Sequence, residues 1–218
     1  MACFPMMVEI EGRTLIVIGG GRIALHKIKV LLPFGADIVA ISDDFLPEFF
    51  ALAKDNENIT LIQKSISGDS RTSFEDLLDE SDHDICFVIA ATDDIKLQDV
   101  ISEVCKDRKI PVNVVDVKDK SSFYFPAVTK KDELVVAVST GGACPTLAGH
   151  IKNKLDGIIP EYYKGMTATL GKMRDRALLE ISSYGDRKKF FEELIAYGEE
   201  HEGVIPDDIA ESCLKKYR

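Results

Sequence analysis

Four loops and one bend in this 218-residue chain gather residues able to hold a phosphate or move a proton. In the first loop, Gly19, Gly20 and Gly21 follow the apolar run Leu15 to Ile18, and a helical pattern starts at Arg22. The spacing G-x-G-x-x-A falls on Gly19, Gly21 and Ala24. It suits a dinucleotide: a tight turn off a strand, a backbone bare enough for a pyrophosphate, and a small residue where helix meets strand. The helix start would add free N–H groups and the positive end of its dipole. The bland alternative is a tight turn and nothing more. The second loop is Ser42-Asp43-Asp44, about 20 residues on, where an acid can accept a ribose 2′-OH. A carboxylate there repels a 2′-phosphate and favours NAD over NADP, although Asp43 could instead cap the next helix. The third loop, Ala90-Ala91-Thr92-Asp93-Asp94, has small residues on which a ring can lie flat. Thr92 can hydrogen-bond a cofactor there, and Asp93 or Asp94 can cap a helix. The fourth is Asn113-Val114-Val115-Asp116. Asp116 stands where a nicotinamide and a substrate would meet, and its carboxylate could take a proton if burial keeps it basic. Otherwise it is a turn residue. The bend, Ser139-Thr140-Gly141-Gly142-Ala143-Cys144, leads into Pro145. Its N–H groups suit a carboxylate or phosphate. Cys144 would sit at a helix start, where thiols become more acidic, but no histidine is placed beside it, and a packing or lining role is the reading.

The elements that must carry these loops alternate strand and helix. Strands are expected at Thr14–Ile18, Ile38–Ser42, Ile59–Gln63, Ile85–Ala91 and Ile110–Val115. Helices are expected at Arg22–Pro33, closed by Gly35, then Phe45–Lys54, near Phe74–Asp79, and Asp94–Arg108. A polar stretch, Ser65 to Ser73, precedes the third helix. Continuous apolar strands between helices imply a parallel sheet buried on both faces, and right-handed crossovers make it doubly wound. After Asp116 the pattern changes. Phe123-Tyr124-Phe125 and Leu134 to Ser139 read as strands. The rest reads as helix over Pro145–Leu155, Glu161–Ile181, Arg187–His201 and Asp207–Tyr217. The expected division is 1–115 for the NAD-binding domain, 116–144 for a β segment and 145–218 for a helical domain. The β segment is too short to bury a core alone and is expected to complete itself against a second subunit.

Composition narrows the function. The chain is 45% hydrophobic, enough for a core. A net charge of −10 argues against a general nucleic-acid binder. No apolar run is long enough for a membrane span, and the N-terminus does not read as a secretory signal. The five cysteines (Cys3, Cys86, Cys105, Cys144, Cys213) form no C-x-x-C pair, so free thiols in a reducing cytoplasm are expected. The histidines (His26, His83, His150, His201) are scattered, and no metal site is expected.

The chain resembles the precorrin-2 dehydrogenases, the NAD-binding module of siroheme synthases that also occurs alone. The resemblance rests on Phe4-Pro5-Met6, the Gly19–Gly21 turn, Ala90 to Asp94, Val112 to Asp116, Ser122-Phe123 with Phe125-Pro126-Ala127, and Ser139 to Gly142 with Pro145. It covers about residues 4 to 160; the remainder matches only in being helical. It implies a Rossmann-like α/β domain, a β dimerisation segment, a helical tail and a homodimer. It also implies oxidation of precorrin-2, an anionic tetrapyrrole, to sirohydrochlorin with NAD⁺. Asp116 matches the family's proposed general base. Arg22 and Ile23 match positions that touch NAD, and Asp43 and Asp44 match the adenosine end. Asn113, Ser139, Gly141, Gly142, Cys144 and His150 are candidates for the substrate side.

Two departures stand out. Fused siroheme synthases commonly carry serine where this chain has Cys144, and Gly149-His150 replaces a basic pair frequent in relatives. His150 either faces the substrate or packs its own helix. A carboxylate-rich substrate also calls for local cations, and Lys130, Lys131, Lys152, Lys154, Lys172, Arg174 and Arg176 are candidates. Some relatives also insert Fe²⁺, with the same aspartate serving twice, so chelation stays open, as does a separate chelatase or methyltransferase partner. The rival readings are an NAD-sensing regulatory module and a tetrapyrrole scaffold without turnover.

Overall fold

Strand β1 (Thr14–Ile18) is buried along its whole length because it sits at the centre of a five-stranded parallel sheet. The other strands are β2 (Asp37–Ser42), β3 (Ile59–Gln63), β4 (Ile85–Ala90) and β5 (Val112–Val114). Their order is β3-β2-β1-β4-β5. The chain therefore leaves β1 in one direction to β2 and β3, then returns to its other side for β4 and β5. A crevice opens at the carboxyl ends where that reversal occurs. The computed structural model describes residues 3–66, 71–80 and 84–218. The expected polar stretch Ser65 to Ser73 lies partly, and His83 wholly, outside the described residues.

Alternation along the strands sends side chains to two cores. Leu15, Val17, Ile38, Ala40 and Ile89 pack with helices α1 (Arg22–Leu31) and α2 (Pro47–Asp55). Ile16, Ile18, Ile41, Val88, Ala90, Val112 and Val114 pack with α3 (Arg71–Glu80) and α4 (Ile95–Asp107). Phe49 and Phe74, one on each face, are fully buried. Each is worth about 1.5–3 kcal/mol relative to exposure. Helix α1 runs into a 3₁₀ turn, Leu32–Phe34, and ends at Gly35 in the left-handed region (φ 71°).

Several boundaries differ from the sequence expectations for local reasons. Helix α2 starts at Pro47 rather than Phe45, because Pro47 lacks an N–H and suits the first helical position. The Phe45 N–H donates instead to Asp44 Oδ1 at 2.9 Å. Helix α3 starts at Arg71 rather than Phe74. Its first turn is held by Arg71, which pairs with Glu75 at 2.8 Å and with Asp107 of α4 at 2.6 Å. Strand β5 is shorter than expected, since Pro111 precedes it and the chain turns at Val115. The largest correction concerns Phe123-Tyr124-Phe125, which is not a strand. The strand after β5 is β6 (Ala127–Lys131), which pairs antiparallel with β7 (Leu134–Val138).

The chain divides into two compact units. One comprises residues 1–125 and 139–144, and the other residues 126–138 and 145–218. In the second unit, helix α5 (Pro145–Ile158) packs on the β6–β7 hairpin. Lys131 is buried there and bonds the Glu161 carboxylate and the Ile159 carbonyl. Helices α6 (Tyr163–Glu180), α7 (Tyr184–Glu200) and α8 (Asp207–Tyr217) enclose a separate core around Phe190, Leu194 and Leu214. Among the described residues no helix is long and apolar enough to cross a membrane.

Candidate active site

The three glycines after β1 have three different surroundings. Gly19 lies at φ 121°, and a Cβ there would come within 2.1 Å of the Ala91 carbonyl oxygen. The close approach follows from sheet geometry: the Gly19 N–H donates to Ile41 and the Ala91 N–H to Ile18, both in under 3 Å. A Cβ on Gly20 would stand 1.9 Å from the Asp44 carbonyl oxygen, because the β2–α2 loop folds over it. The Leu46 N–H bonds the Gly20 carbonyl there at 3.1 Å. At Gly21 a Cβ would meet nothing within 4 Å. Gly21 begins α1, no side chain caps that helix, and its first turn holds no acid. Gly21, Arg22 and Ile23 are exposed. Two glycines thus let the turn close, and the third leaves a bare amide surface at a positive helix end. This donor set fits a diphosphate.

Beside the turn, a cavity of about 430 Å³ opens at the carboxyl ends of β1 to β4. Gly19, Ser42, Asp43, Lys64, Thr92 and Asp94 are among its lining residues. The Asp43 carboxylate accepts the Asp44 N–H at 3.0 Å, so it braces its own loop while its exposed side remains available. Asp44 Oδ1 accepts from Phe45. In the third loop the choice between Asp93 and Asp94 is resolved. Asp94 caps α4, accepting the N–H groups of Lys96 (2.9 Å) and Leu97 (3.1 Å), and Asp93 is exposed. The Thr92 hydroxyl accepts the Asp94 N–H at 3.3 Å. Its carbonyl is fixed by buried Gln98, which donates at 2.7 Å.

Asp116 follows β5 on the rim. It is exposed and sits in the left-handed region at φ 61°. Asp tolerates that region better than most residues, and such positions concentrate at functional sites. The strand beneath it is held by two hydroxyls. The N–H groups of Val112 and Val114 donate to Ser122 Oγ (2.8 Å) and Ser121 Oγ (2.9 Å). This return of the chain explains why Phe123–Phe125 is irregular. Its groups are spent locally: Asn113 Nδ2 donates to the Phe123 carbonyl at 3.1 Å, and the Phe123 ring packs on Phe87. Asn113 is buried and its oxygen accepts from Lys27 Nζ at 3.2 Å, so both ends of its amide are engaged inside the domain. Lys27 Nζ also lies 4.1 Å from the centre of the Phe125 ring. Burial pulls the Lys27 ammonium down to about 8 from its usual 10.5, with the Asp116 carboxylate acting the other way.

The glycine bend is more self-contained than its sequence suggests. Gly141 N–H donates to Ser139 Oγ (3.1 Å), Cys144 N–H to Thr140 Oγ1 (2.9 Å) and Ala143 N–H to the Thr140 carbonyl (3.1 Å). Gly141 and Gly142 have φ 61° and 76°, and a Cβ on Gly142 would press to 3.2 Å on the Tyr124 ring. Cys144 is exposed, and His150 is exposed on α5 in the second unit. Among the described residues no group of three or more His, Cys, Asp or Glu is placed to hold a metal.

Sequence reading gave no role to Lys27, Gln98 or Ser121, and it noted Ser122 only as part of a motif of the resemblance. For Lys27 a signal existed. It lies on the stripe Ala24, Ile28, Leu31, at the three- and four-residue spacings of a buried helix face, where a lysine is out of place.

A doubly wound parallel sheet with an uncapped glycine turn at its switch point defines a nucleotide-binding α/β protein. Residues 6–127 match the family described as putative NAD(P)-binding, and the chain belongs to that family. It is 32% identical over 196 residues to siroheme synthase 2 of Aeromonas salmonicida (strain A449), covering 90% of this chain and 38% of that protein. It is 34% identical over 191 residues to the siroheme synthase of Escherichia coli O1:K1 / APEC, covering 87% and 39%. The chain thus spans about two fifths of the length of these relatives. A solved structure described as SirC, precorrin-2 dehydrogenase, shares the fold with a TM-score of 0.65 at 23% identity, over 99% of this chain and 98% of the other.

Proposed function

We propose that this chain is an NAD-dependent dehydrogenase that oxidises precorrin-2 to sirohydrochlorin in siroheme biosynthesis. One observation carries the reading: an uncapped amide turn at Gly21–Ile23 and a left-handed carboxylate at Asp116 stand on the carboxyl edge of the same sheet. Similarity to proteins named siroheme synthase, and to the fold of a protein named precorrin-2 dehydrogenase, supports it.

The chemistry requires a hydride and a proton to leave the tetrapyrrole. NAD⁺ bound at the turn supplies the hydride acceptor. The amides of Gly21, Arg22 and Ile23 hold its diphosphate, and the acidic loop Asp43-Asp44 meets the adenosine end. Asp116 accepts the proton. Ser139, Gly141, Gly142 and Cys144 are read as facing the substrate, with Asn113 shaping the rim from beneath. The chain is further read as a cytoplasmic homodimer of three parts, with 116–144 as its dimerisation segment. The exposed stripe Leu147, Ile151 and Ile158 on α5 offers a second copy an apolar face beside it.

The test is an anaerobic assay with precorrin-2 and NAD⁺, following NADH and sirohydrochlorin together. Wild-type protein is expected to form both in equal amounts. Asp116→Asn is expected to lose about 10²–10⁴-fold in kcat, with NAD affinity by calorimetry unchanged. An undiminished rate in that variant removes Asp116 from the mechanism. Adding Fe²⁺ as a substrate reads out chelation in the same experiment.

A further inference from the structure

Three lysines belong to the elements around β5, and two of them are engaged inside the domain. Lys120 pairs with Asp99 of α4 at 2.6 Å. Lys27 donates to Asn113 Oδ1 at 3.2 Å and lies 4.1 Å from the centre of the Phe125 ring. Lys118 differs. It is exposed, and among the described residues no carboxylate pairs with it. Its Nζ stands over the Tyr124 ring, 5.7 Å from the centre. Lys118 follows Asp116 by two residues, so no more than about 7 Å of backbone separates them. That backbone is pinned. The Lys118 carbonyl accepts the Ser121 N–H at 3.2 Å, and Ser121 Oγ donates to the Val117 carbonyl at 3.0 Å.

Tyr124 is held as well. On either side of it, Phe123 packs on Phe87, and Phe125 packs against the core beneath α1. The Tyr124 ring takes another course and lies on Gly142, where a Cβ would stand 3.2 Å from the ring edge. Gly142 (φ 76°) thus gives the ring a bare place to rest. Among the described residues nothing hydrogen-bonds the Tyr124 hydroxyl. An ammonium and a phenol hydroxyl therefore stand together just past Asp116, both able to donate. The chain carries a net charge of −10, and Asp116 itself repels an acidic substrate. A cation at this point offsets that repulsion where it is strongest.

We propose that Lys118 and Tyr124 form a carboxylate subsite: the ammonium and the phenol hydroxyl together hold one acidic side chain of the tetrapyrrole, and so fix the edge of the ring system presented to Asp116. This rests on the reading of the chain as a precorrin-2 dehydrogenase and adds where one substrate carboxylate is bound. Gly142 then serves the substrate by carrying the Tyr124 ring.

The probe for binding is uroporphyrin III, a stable tetrapyrrole rich in carboxylates, titrated into whole protein without NAD⁺ and followed by fluorescence. Lys118→Met is expected to weaken binding about tenfold. Lys118→Arg is expected to restore all but a factor of about two. Tyr124→Phe keeps the ring on Gly142 and removes the hydroxyl, and is expected to lose about threefold. The double variant is expected to lose less than the product of the two, because both donors serve one group. Added salt is expected to weaken wild-type binding more steeply than binding by Lys118→Met. NAD⁺ affinity by calorimetry is expected to be the same throughout. Porphyrin affinity unchanged in Lys118→Met overturns the subsite and leaves Lys118 a solvated charge. NAD⁺ affinity that falls in parallel also overturns it, by assigning the cation to the cofactor. Wild-type protein that does not bind the porphyrin overturns it too.

Turnover keeps this inference apart from the functional reading. The KM for precorrin-2 is expected to rise about tenfold in Lys118→Met, with the KM for NAD⁺ unmoved. A KM for precorrin-2 that stays put sinks the subsite while the dehydrogenase stands. Lys118-dependent porphyrin binding in a protein that forms no NADH from precorrin-2 sinks the dehydrogenase and leaves the carboxylate subsite.

Discussion

In the parallel-sheet unit, both faces of the sheet are covered, and Phe49, Phe74, Ile16 and Ile89 are almost fully shielded from water. In the hairpin unit, α5 buries Ala148 and leaves Leu147, Ile151 and Ile158 exposed, while Leu178 and Leu179 of α6 are exposed as well. The first unit closes a two-sided core around its sheet, and what it leaves exposed sits mostly off the strands, at Phe4, Met6, Met7, Ile23, Phe50 and Ile95. The second leaves apolar side chains exposed along α5 and α6, a kind of surface that often meets another molecule. The difference separates tasks: a sheet covered on both faces can hold reacting groups rigidly, and an exposed helix face suits the proposed second copy.

The sharpest break of that comparison is at Gly20. Gly20→Val places side-chain atoms where the Asp44 carbonyl already stands, so the sheet unit is expected to lose more than about 4 kcal/mol. Thermal unfolding and the yield of soluble protein would read the loss, and a variant that melts like the wild type would show that the β2–α2 loop simply moves aside. In the hairpin unit, Ile158→Asp is expected to leave the fold intact, since this side chain is 73% exposed. It is expected to weaken the proposed dimer about a hundredfold, roughly 2.7 kcal/mol, by light scattering across a dilution series. A dimer that survives would move the interface off α5.

Within the sheet unit, Lys27 gives a pH signature. Its ionisation falls from 10.5 to about 8 on folding. Between those values the unfolded chain holds a proton that the folded one has released, so stability rises with pH across that window. Below it, both states carry the charge and the full desolvation cost is felt. After discounting for partial exposure the rise is about 1–2 kcal/mol. Denaturant titrations of wild type and Lys27→Met at several pH values should converge upward through the window, and parallel lines would refute the shift. The smallest effect is expected at Gly21→Ala. The fold tolerates the methyl, but it stands where a phosphate should lie, so NAD affinity is expected to fall about tenfold, or 1.4 kcal/mol. Unchanged calorimetric affinity would place the diphosphate elsewhere.

Much of the sheet unit was legible because its signals are local. Thr14–Ile18 and Ile59–Gln63 match the observed strands, and Asp207–Tyr217 matches the last helix. Gly35 ends the first helical stretch as its residue type demands. The glycine turn was visible because a tight exit from a strand needs particular residue types at particular spacings, and Asp116 because it follows the fifth strand. What stayed hidden depends on partners distant in sequence. Phe123-Tyr124-Phe125 carries strand-like side chains, yet Asn113 and Phe87 decide its shape. Strand β6 was overlooked because Lys130 and Lys131 look solvated, whereas Lys131 is buried against the Ile159 carbonyl and the carboxylates of Glu161 and Asp156. The glycine bend looked open because hydroxyls two and four residues away, on Ser139 and Thr140, cannot be seen to turn inward from sequence alone.

The two serine hydroxyls along β5 have a consequence for how the molecule behaves in a crowded solution. The last strand of a sheet normally displays a row of unsatisfied amides, an invitation to any extended peptide. Here Ser121 and Ser122 occupy the Val114 and Val112 donors with side chains instead of another backbone. A foreign strand would have to evict a hydroxyl for each of these donors that it paired with. Growth of the sheet from this flank, and the fibrous association it would begin, is blocked at the cost of two small residues. Replacing both with alanine would free those two donors on the flank of the sheet.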